Sequence, residues 1–195
     1  ARRERMLIYT MPRSYCPRCD YPERTCLCHA IDRTGYSIRL TILQHPSEAG
    51  HAKNTARLTT LVTEAAEVFI GEHPEDFNGV RQALLSNPGA VVLFPASTSV
   101  PLSEANQTSP VLRLVLIDGT WRKAKKIWLS NPWLQQLRVC HIDDISSRYR
   151  IRRGSVPRGL ATIEAAASAL EQLGEVNTEA LLNAFEALQK NWPSA

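Results

Sequence analysis

No apolar stretch in this chain of 195 residues approaches the roughly 18 residues that a membrane-spanning helix requires. The longest, at 91–96 and 114–117, have the length of strands. The N-terminal Ala-Arg-Arg-Glu-Arg-Met is charged with no apolar core behind it, so a secretory signal is not expected and the cytoplasm is the expected compartment. Glycine-rich phosphate loops are missing: neither G-x-G-x-x-G nor G-x-x-x-x-G-K-[ST] occurs, which removes support for dinucleotide and P-loop nucleotide binding. The G-x-S-x-G elbow of serine hydrolases is missing as well. There is no internal repeat and no low-complexity tract. With 44% hydrophobic residues, intrinsic disorder is excluded for most of the length. A mass of 21.8 kDa suits one domain of moderate size with one small appendage.

Acidic residues are scarce in one segment only. Residues 122–158 hold ten Lys and Arg against two acids, whereas 160–195 hold one base against five acids. The remaining 122 residues are balanced at twelve of each, so the net charge of +4 conceals a local excess. Such concentration fits a polyanion-binding face, and fits equally a well-solvated helix with a basic loop.

Cysteine is also sparse, and four of the five cysteines lie within thirteen residues: Cys16, Cys19, Cys26 and Cys28, spaced C-x2-C-x6-C-x-C. In a cytoplasmic chain this clustering points to a metal rather than to disulfides. Four thiolates on short, proline-stiffened loops can reach the corners of a tetrahedron, so a structural zinc is expected, with a redox cluster or no metal as alternatives. His29 adjoins Cys28, but neighbouring residues rarely reach one ion together. Cys140, in the strand-like run 139–142, is expected to be a small buried hydrophobe. A module at 1–33 is too short to bury its own core and would depend on the metal; the rest, 34–195, is the expected main domain.

In that main part, strand-like and helix-like segments alternate. Strands are expected at 36–44, 67–70, 91–94, 112–117 and 138–142, and helices at 47–66, 77–86, 120–129, 162–173 and 177–191. A polar loop is expected from 95 to 110, and an irregular basic loop at 146–159. This is an α/β pattern with a mostly parallel sheet flanked by helices, in which ligands gather at the carboxyl ends of strands.

The rule directs attention to Asp118-Gly119-Thr120-Trp121, where a buried strand would deliver a carboxylate beside a helix N-terminus. Gly119 permits a tight turn, Thr120 can cap the helix, and Trp121 offers a flat apolar wall; Asp118 as a simple cap and Trp121 as core are the alternatives. On the helix that follows, Arg122, Lys123, Lys125 and Lys126 surround an apolar face of Trp121, Ala124 and Trp128, a candidate phosphate-binding surface. His45, at a strand end in Gln44-His45-Pro46-Ser47-Glu48, is a candidate proton carrier or a hydrogen-bonded structural group. Asn54 and Arg57 lie one turn apart and face either the same cleft or solvent. Arg148, Tyr149, Arg150, Arg152 and Arg153 form a candidate RNA-contact loop. The run Leu160-Ala161-Thr162-Ile163-Glu164 combines a loop, a capping Thr and an acid in the first turn of a helix.

In order and spacing these pieces resemble the DTW-domain family, named for an Asp-x-Thr-Trp segment. The resemblance rests on CPRCDYPERTCLC at 16–28, QHPSEAGHAKNTARL at 44–58, VVLFPAS at 91–97, DGTWRKAKKIW at 118–128, SRYRIRR at 147–153 and LATIEA at 160–165. One departure is Ala161, where the family usually shows Ser. The resemblance implies a SPOUT-like, trefoil-knotted catalytic core and a tRNA-uridine aminocarboxypropyltransferase that uses S-adenosylmethionine as donor. It further implies donor contacts from Leu93, Phe94 and Pro95, from Ile117, Gly119, Thr120 and Trp121, and from Leu160, Ala161, Thr162 and Glu164, with Asp118 acting on the uridine and the basic residues on tRNA. A SPOUT-type RNA methyltransferase and a non-catalytic zinc-ribbon RNA-binding protein are the competing expectations. No membrane partner is expected.

Overall fold

The structure, a computed structural model, describes residues 14–143 and 160–191. In chain order it contains β1 (Arg39–Gln44), α1 (Pro46–Ala49), α2 (Thr55–Val62), β2 (Ala66–Ile70), α3 (Asn78–Leu85), β3 (Ala90–Leu93), β4 (Val100–Pro101), α4 (Leu102–Thr108), β5 (Arg113–Asp118), α5 (Trp121–Ser130), β6 (Arg138–His141), α6 (Thr162–Gln172) and α7 (Glu179–Lys190). The strands form one six-stranded sheet in the order β2-β1-β5-β3-β6-β4, and every ladder is parallel. The α/β expectation with a largely parallel sheet is met. Among the described residues, no helix is long and apolar enough to cross a membrane.

A parallel sheet covered on both faces needs strands that are apolar on both faces. In β1, RLTILQ, every residue after Arg39 is buried. One face carries Leu40, Ile42, Leu114 and Leu116 against Leu58 and Val62 of α2, Ile163 and Leu170 of α6, and Leu181 and Phe185 of α7. The other carries Leu43, Val92 and Val115 against Val80 and Leu84 of α3, Ile127 and Trp128 of α5, and Trp133. Each strand therefore feeds two cores by simple alternation.

The sequence-based boundaries differ from the structure at three places with identifiable causes. The expected helix at 47–66 is two helices, because Asn54 interrupts it: its Oδ1 accepts the Arg57 N–H (2.9 Å) and its Nδ2 donates to the Ala49 carbonyl (3.0 Å). An amide side chain offered those partners caps a helix instead of continuing one. The strand expected from 36 begins at Arg39, since the Ser37 and Ile38 N–H groups donate to Glu175 (2.7 and 2.9 Å) rather than to a neighbouring strand. The loop expected at 95–110 contains β4 and α4; in LSEANQT only Leu102 and Ala105 are buried, too little apolar periodicity to announce a helix.

The cysteine segment packs on the main core rather than standing apart from it. Cys19, Tyr21 and Leu27 are fully buried in the α2/α6/α7 cluster. Tyr21 Oη donates to the Asn54 carbonyl (2.8 Å), the Arg57 guanidinium lies 4.1 Å over the Tyr21 ring and pairs with Asp20 (3.2 Å), and Asn191 Nδ2 donates to the Thr25 carbonyl (3.1 Å). Burial and hydrogen bonding of this kind anchor the segment where its own core could not. Cys140 is buried as expected, and that burial pushes its thiol up.

Helix α6 starts with half of a capping box. Glu164 Oε2 accepts the N–H of the N-cap residue Ala161 (2.9 Å), but Ala161 has no side-chain oxygen with which to accept the Glu164 N–H in return. Thr162, expected as a cap, is the first helical residue. The knot implied by resemblance turns on the path of 144–159 between β6 and α6, which lies outside the described residues. Replacing Ala161 by Ser completes the box and should raise unfolding stability by about 0.5–2 kcal/mol in urea denaturation; an unchanged midpoint would show that solvent already satisfies that N–H.

Candidate active site and metal centre

The sheet's carboxyl rim is organised around Asp118, the last residue of β5 and 8% exposed. In the parallel register Gln44, the last residue of β1, pairs with Asp118. Both lie at even positions, on the face shared with Leu40, Ile42, Leu114 and Leu116, so they are cross-strand neighbours. Gln44, 2% exposed, donates through Nε2 to Asp118 Oδ2 at 2.8 Å. The other carboxylate oxygen, Oδ1, accepts from the Thr162 hydroxyl, which α6 presents from its first turn. Both oxygens are thus engaged by donors from separate elements, and neither is used to cap α5.

Hydrogen-bond logic fixes the orientation of each amide behind this pair. The Arg57 N–H can only donate and the Ala49 carbonyl can only accept, so Asn54 must present Oδ1 to the first and Nδ2 to the second. Asn54 Oδ1 also accepts from Gln44 Nε2 (3.0 Å). Gln44 therefore faces two acceptors, Asn54 Oδ1 and Asp118 Oδ2, and only its NH2 end satisfies both. The polarity of the α2 N-terminus is passed through two buried amides to the carboxylate. In the sequence His45 is conspicuous and Gln44 is not; the signal for Gln44 is a polar residue closing the strand directly after the apolar Ile42-Leu43.

His45 is held structurally. Its Nδ1 accepts from the Ser47 N–H (3.2 Å), which leaves the proton on Nε2 to donate to Glu72 (2.7 Å). Glu72 also meets Lys126 Nζ (2.8 Å) and His73 Nε2 (3.3 Å). Lys126 first, then His45, draws its carboxyl below the ordinary range against the opposing cost of desolvation. Gly119 follows Asp118 where the backbone is closely approached: a Cβ there would lie 3.0 Å from Lys123 Cβ and 3.6 Å from His45 Cβ. Thr120 occupies the α5 N-cap position, yet its side chain makes no capping bond, contrary to expectation.

On the opposite side of the rim, Phe94 stacks between two tryptophans, 5.5 Å from Trp121 at 8° and 4.5 Å from Trp128 at 11°. Trp121 is 61% exposed, so it is a surface wall and not core. The four cations of α5 are not equivalent. Lys123 pairs with Glu48 (2.7 Å) and Lys126 with Glu72, whereas Arg122 and Lys125 are exposed on one ridge of the helix. Leu93, Ile117, Leu160 and Ala161 are half-buried, Pro95 is exposed, and Glu164 is buried. The stack brings Phe94 to Trp121, and the Thr162 hydroxyl brings the start of α6 to Asp118. Arg148, Tyr149, Arg150, Arg152 and Arg153 lie outside the described residues. A cavity of about 360 Å3 opens near the other end of β1, beside Tyr36, Arg39 and Glu64, away from this rim.

The sulfurs of Cys16, Cys19, Cys26 and Cys28 all lie within 4.8 Å of one another. Cys16 and Cys28 are 3.6 Å apart, and Cys19 and Cys26 3.8 Å. A zinc–sulfur tetrahedron with bonds of about 2.3 Å has edges of about 3.8 Å, so the four sulfurs fit such an ion. The backbone N–H groups of Cys19 and Arg18 hold the Cys16 thiol down to about 6, while desolvation and the neighbouring sulfurs push Cys28 up to about 12. Four adjacent thiols cannot all ionise without a compensating cation, which is the electrostatic condition a divalent metal satisfies.

Comparison with known proteins identifies the family. A model of the DTW domain matches residues 13–192. The chain is 35% identical over 168 residues to a tRNA-uridine aminocarboxypropyltransferase 2 of Drosophila melanogaster, covering 83% of this chain and 67% of that protein. It is 32% identical over 186 residues to the protein of the same name from Macaca fascicularis, covering 90% and 62%. A tRNA-uridine aminocarboxypropyltransferase A of Arabidopsis thaliana is 31% identical over 135 residues, covering 59% and 50%. The chain thus spans about two thirds or less of the length of these relatives. No solved structure matches it. By the domain match over nearly its whole length, the chain belongs to the DTW-domain family.

Proposed function

We propose that this protein transfers the 3-amino-3-carboxypropyl group of S-adenosylmethionine to N3 of a uridine in tRNA. The observation that carries the reading is a buried, doubly hydrogen-bonded aspartate at the parallel sheet's carboxyl rim, in a chain whose relatives are named as such transferases. The uridine N3–carbon bond forms as the carbon–sulfur bond breaks, the electron pair passes to sulfur, and methylthioadenosine leaves. The N3–H proton must depart; with one bond already made to each oxygen, Asp118 retains lone pairs to accept or orient it.

The other residues divide the remaining work. Leu93, Phe94, Pro95 and Trp121 form the apolar wall of the donor site, with backbone from Ile117, Gly119, Thr120, Leu160, Ala161, Thr162 and Glu164. Backbone dominates in the last group because the Thr162 hydroxyl and the Glu164 carboxylate are already engaged. Arg122 and Lys125 meet tRNA phosphates, with Lys123 and Lys126 contributing as their ion pairs exchange; Arg148, Tyr149, Arg150, Arg152 and Arg153, outside the described residues, are further RNA contacts by charge and residue type. Residues 1–33 form a zinc module in which Cys16, Cys19, Cys26 and Cys28 hold the ion, and 34–195 form the SPOUT-like catalytic domain. Zinc there supplies a cross-link between short loops, not a reacting centre.

Incubation with S-adenosylmethionine and unmodified tRNA should yield aminocarboxypropyl-uridine and methylthioadenosine, read by mass spectrometry of nucleosides. Methyluridine with S-adenosylhomocysteine would make it a methyltransferase, and no product at all a binding protein. Asp118→Asn can keep both hydrogen bonds, accepting from Gln44 and donating to a rotated Thr162 hydroxyl. It should therefore fold normally, bind donor in calorimetry almost unchanged, and lose about 10²- to 10⁴-fold in turnover; an undiminished rate removes Asp118 from the mechanism. Purified protein should contain about one zinc per chain, lost when Cys16 and Cys26 are both changed to Ser. Arg122→Ala with Lys125→Ala should lower the slope of log tRNA affinity against log salt by about 0.7–0.9 per contact removed, and a constant slope would mark these cations as merely solvated.

A further inference from the structure

We propose that Gln44 and Thr162 are positioning residues that fix the Asp118 carboxylate for the reaction, acting through Asp118 alone. The inference rests on the function proposed above and deepens it by naming how the reacting carboxylate is held.

A carboxylate at the end of a strand has one freely rotating torsion that matters here, the rotation of its plane about the Cβ–Cγ bond, and this rotation is soft. One hydrogen bond would leave the plane free to swing. Two donors on different oxygens, from different directions, do not: Gln44 Nε2 reaches Oδ2 at 2.8 Å along the sheet, and the Thr162 hydroxyl reaches Oδ1 from α6. All three residues are nearly sealed from solvent, so water does not compete for the same lone pairs. Gln44 cannot rotate its amide without placing its oxygen against both Asn54 Oδ1 and Asp118 Oδ2. Thr162 is β-branched in the first turn of a helix, where few side-chain rotamers are open to it.

The placement of the donors has a further consequence. They come from β1, the strand beside β5 in the sheet, and from α6, which packs on the face that carries Leu114 and Leu116. Each takes one lone pair from its oxygen and leaves the others, so the plane and outward direction of the carboxylate are set before any substrate arrives. Such preorganisation matters most where a proton is to be received from a weakly acidic N–H, since transfer demands close alignment of donor and acceptor. Neither Gln44 nor Thr162 needs to touch the uridine for this.

The test is a double-mutant cycle read in single-turnover transfer to tRNA. Thr162→Val and Gln44→Met keep shape while removing the donor, and each should lower kcat by about 10- to 100-fold with the KM for tRNA and for S-adenosylmethionine nearly unchanged. Thr162→Ser keeps the hydroxyl and should restore most of the rate. In the Asp118→Asn background, the same two changes should cost no more than about 3-fold further, because the carboxylate they position is gone. Thermal denaturation identifies a variant that fails to fold, and either position alone then decides the matter through its own cycle. Wild-type rates in both single variants would overturn the proposal. So would equal losses with and without the Asp118 carboxylate, since a structural role is additive. A wild-type chain that transfers nothing would overturn the proposed function, and this inference with it; transfer by wild type and by both variants alike would overturn only the inference.

Discussion

An ionised carboxylate shut away from water must find hydrogen-bond donors or be destabilised by several kcal/mol, on the order of what a whole domain has to spare. Asp118 meets that requirement with donors that exist only when the fold is complete. Gln44 is in place because β1 and β5 run parallel in one register; a slip by a single residue would set Leu43 there and turn the amide to the other face. Thr162 is in place because α6 docks its first turn on the same rim. The site therefore reports on the correctness of two separate long-range arrangements, strand register and helix docking. A misregistered sheet would bury an unsatisfied charge, so the polar rim selects for the native pairing as well as serving it.

The cysteine segment enters the same account through Asn54. Tyr21 Oη bonds the Asn54 carbonyl, and the Asn54 side chain orients Gln44. The segment is small, and Cys19, Tyr21 and Leu27 are buried with the main core rather than with one another alone. Closing its two loops on a metal would fix the Tyr21 ring against Arg57, a contact worth about 0.5–2 kcal/mol when partly desolvated. A run of hydrogen bonds thus joins the cysteine segment to the rim, from Tyr21 through Asn54 and Gln44 to Asp118.

Much of the framework was legible because buried parallel strands announce themselves: 91–94 is apolar throughout and 112–117 is apolar except at Arg113, and the structure places β3 and β5 within a residue or two of them. The spacing of the four cysteines was equally plain. What the sequence could not disclose was partnership at a distance. Asp118 and Thr162 were each visible, one as a rim carboxylate and one as a cap, but they are 44 residues apart and their bond depends on how α6 docks. Gln44 is less conspicuous in the sequence than the more reactive-looking His45, whose nitrogens are occupied by Ser47 and Glu72. The charge excess along 122–158 likewise carries no sign that Glu48 and Glu72, distant in sequence, meet Lys123 and Lys126. The division of the helix expected at 47–66 has a local cause instead, since Asn54 caps α2 through the Arg57 N–H and bonds back to the Ala49 carbonyl.

The rim that results is chemically two-sided. On the α6 face stand Asp118, Gln44 and Thr162, a sealed and fully oriented polar cluster; on the α5 face stand Trp121, Phe94 and Trp128, a near-parallel stack whose outer ring is exposed, with Arg122 and Lys125 beyond it. The pleat of β5 produces this division without any further device: Asp118 falls on the even face of the strand, and the turn at Gly119 carries the chain over the rim into α5. A reaction that needs an oriented proton acceptor next to an apolar wall can therefore draw on both from four consecutive residues, Asp118-Gly119-Thr120-Trp121. Beside them Lys123 and Lys126 are paired with Glu48 and Glu72, and Arg122 and Lys125 form an exposed ridge of α5. The division of labour follows from strand alternation and one tight turn, which is why so short a motif can mark the whole site.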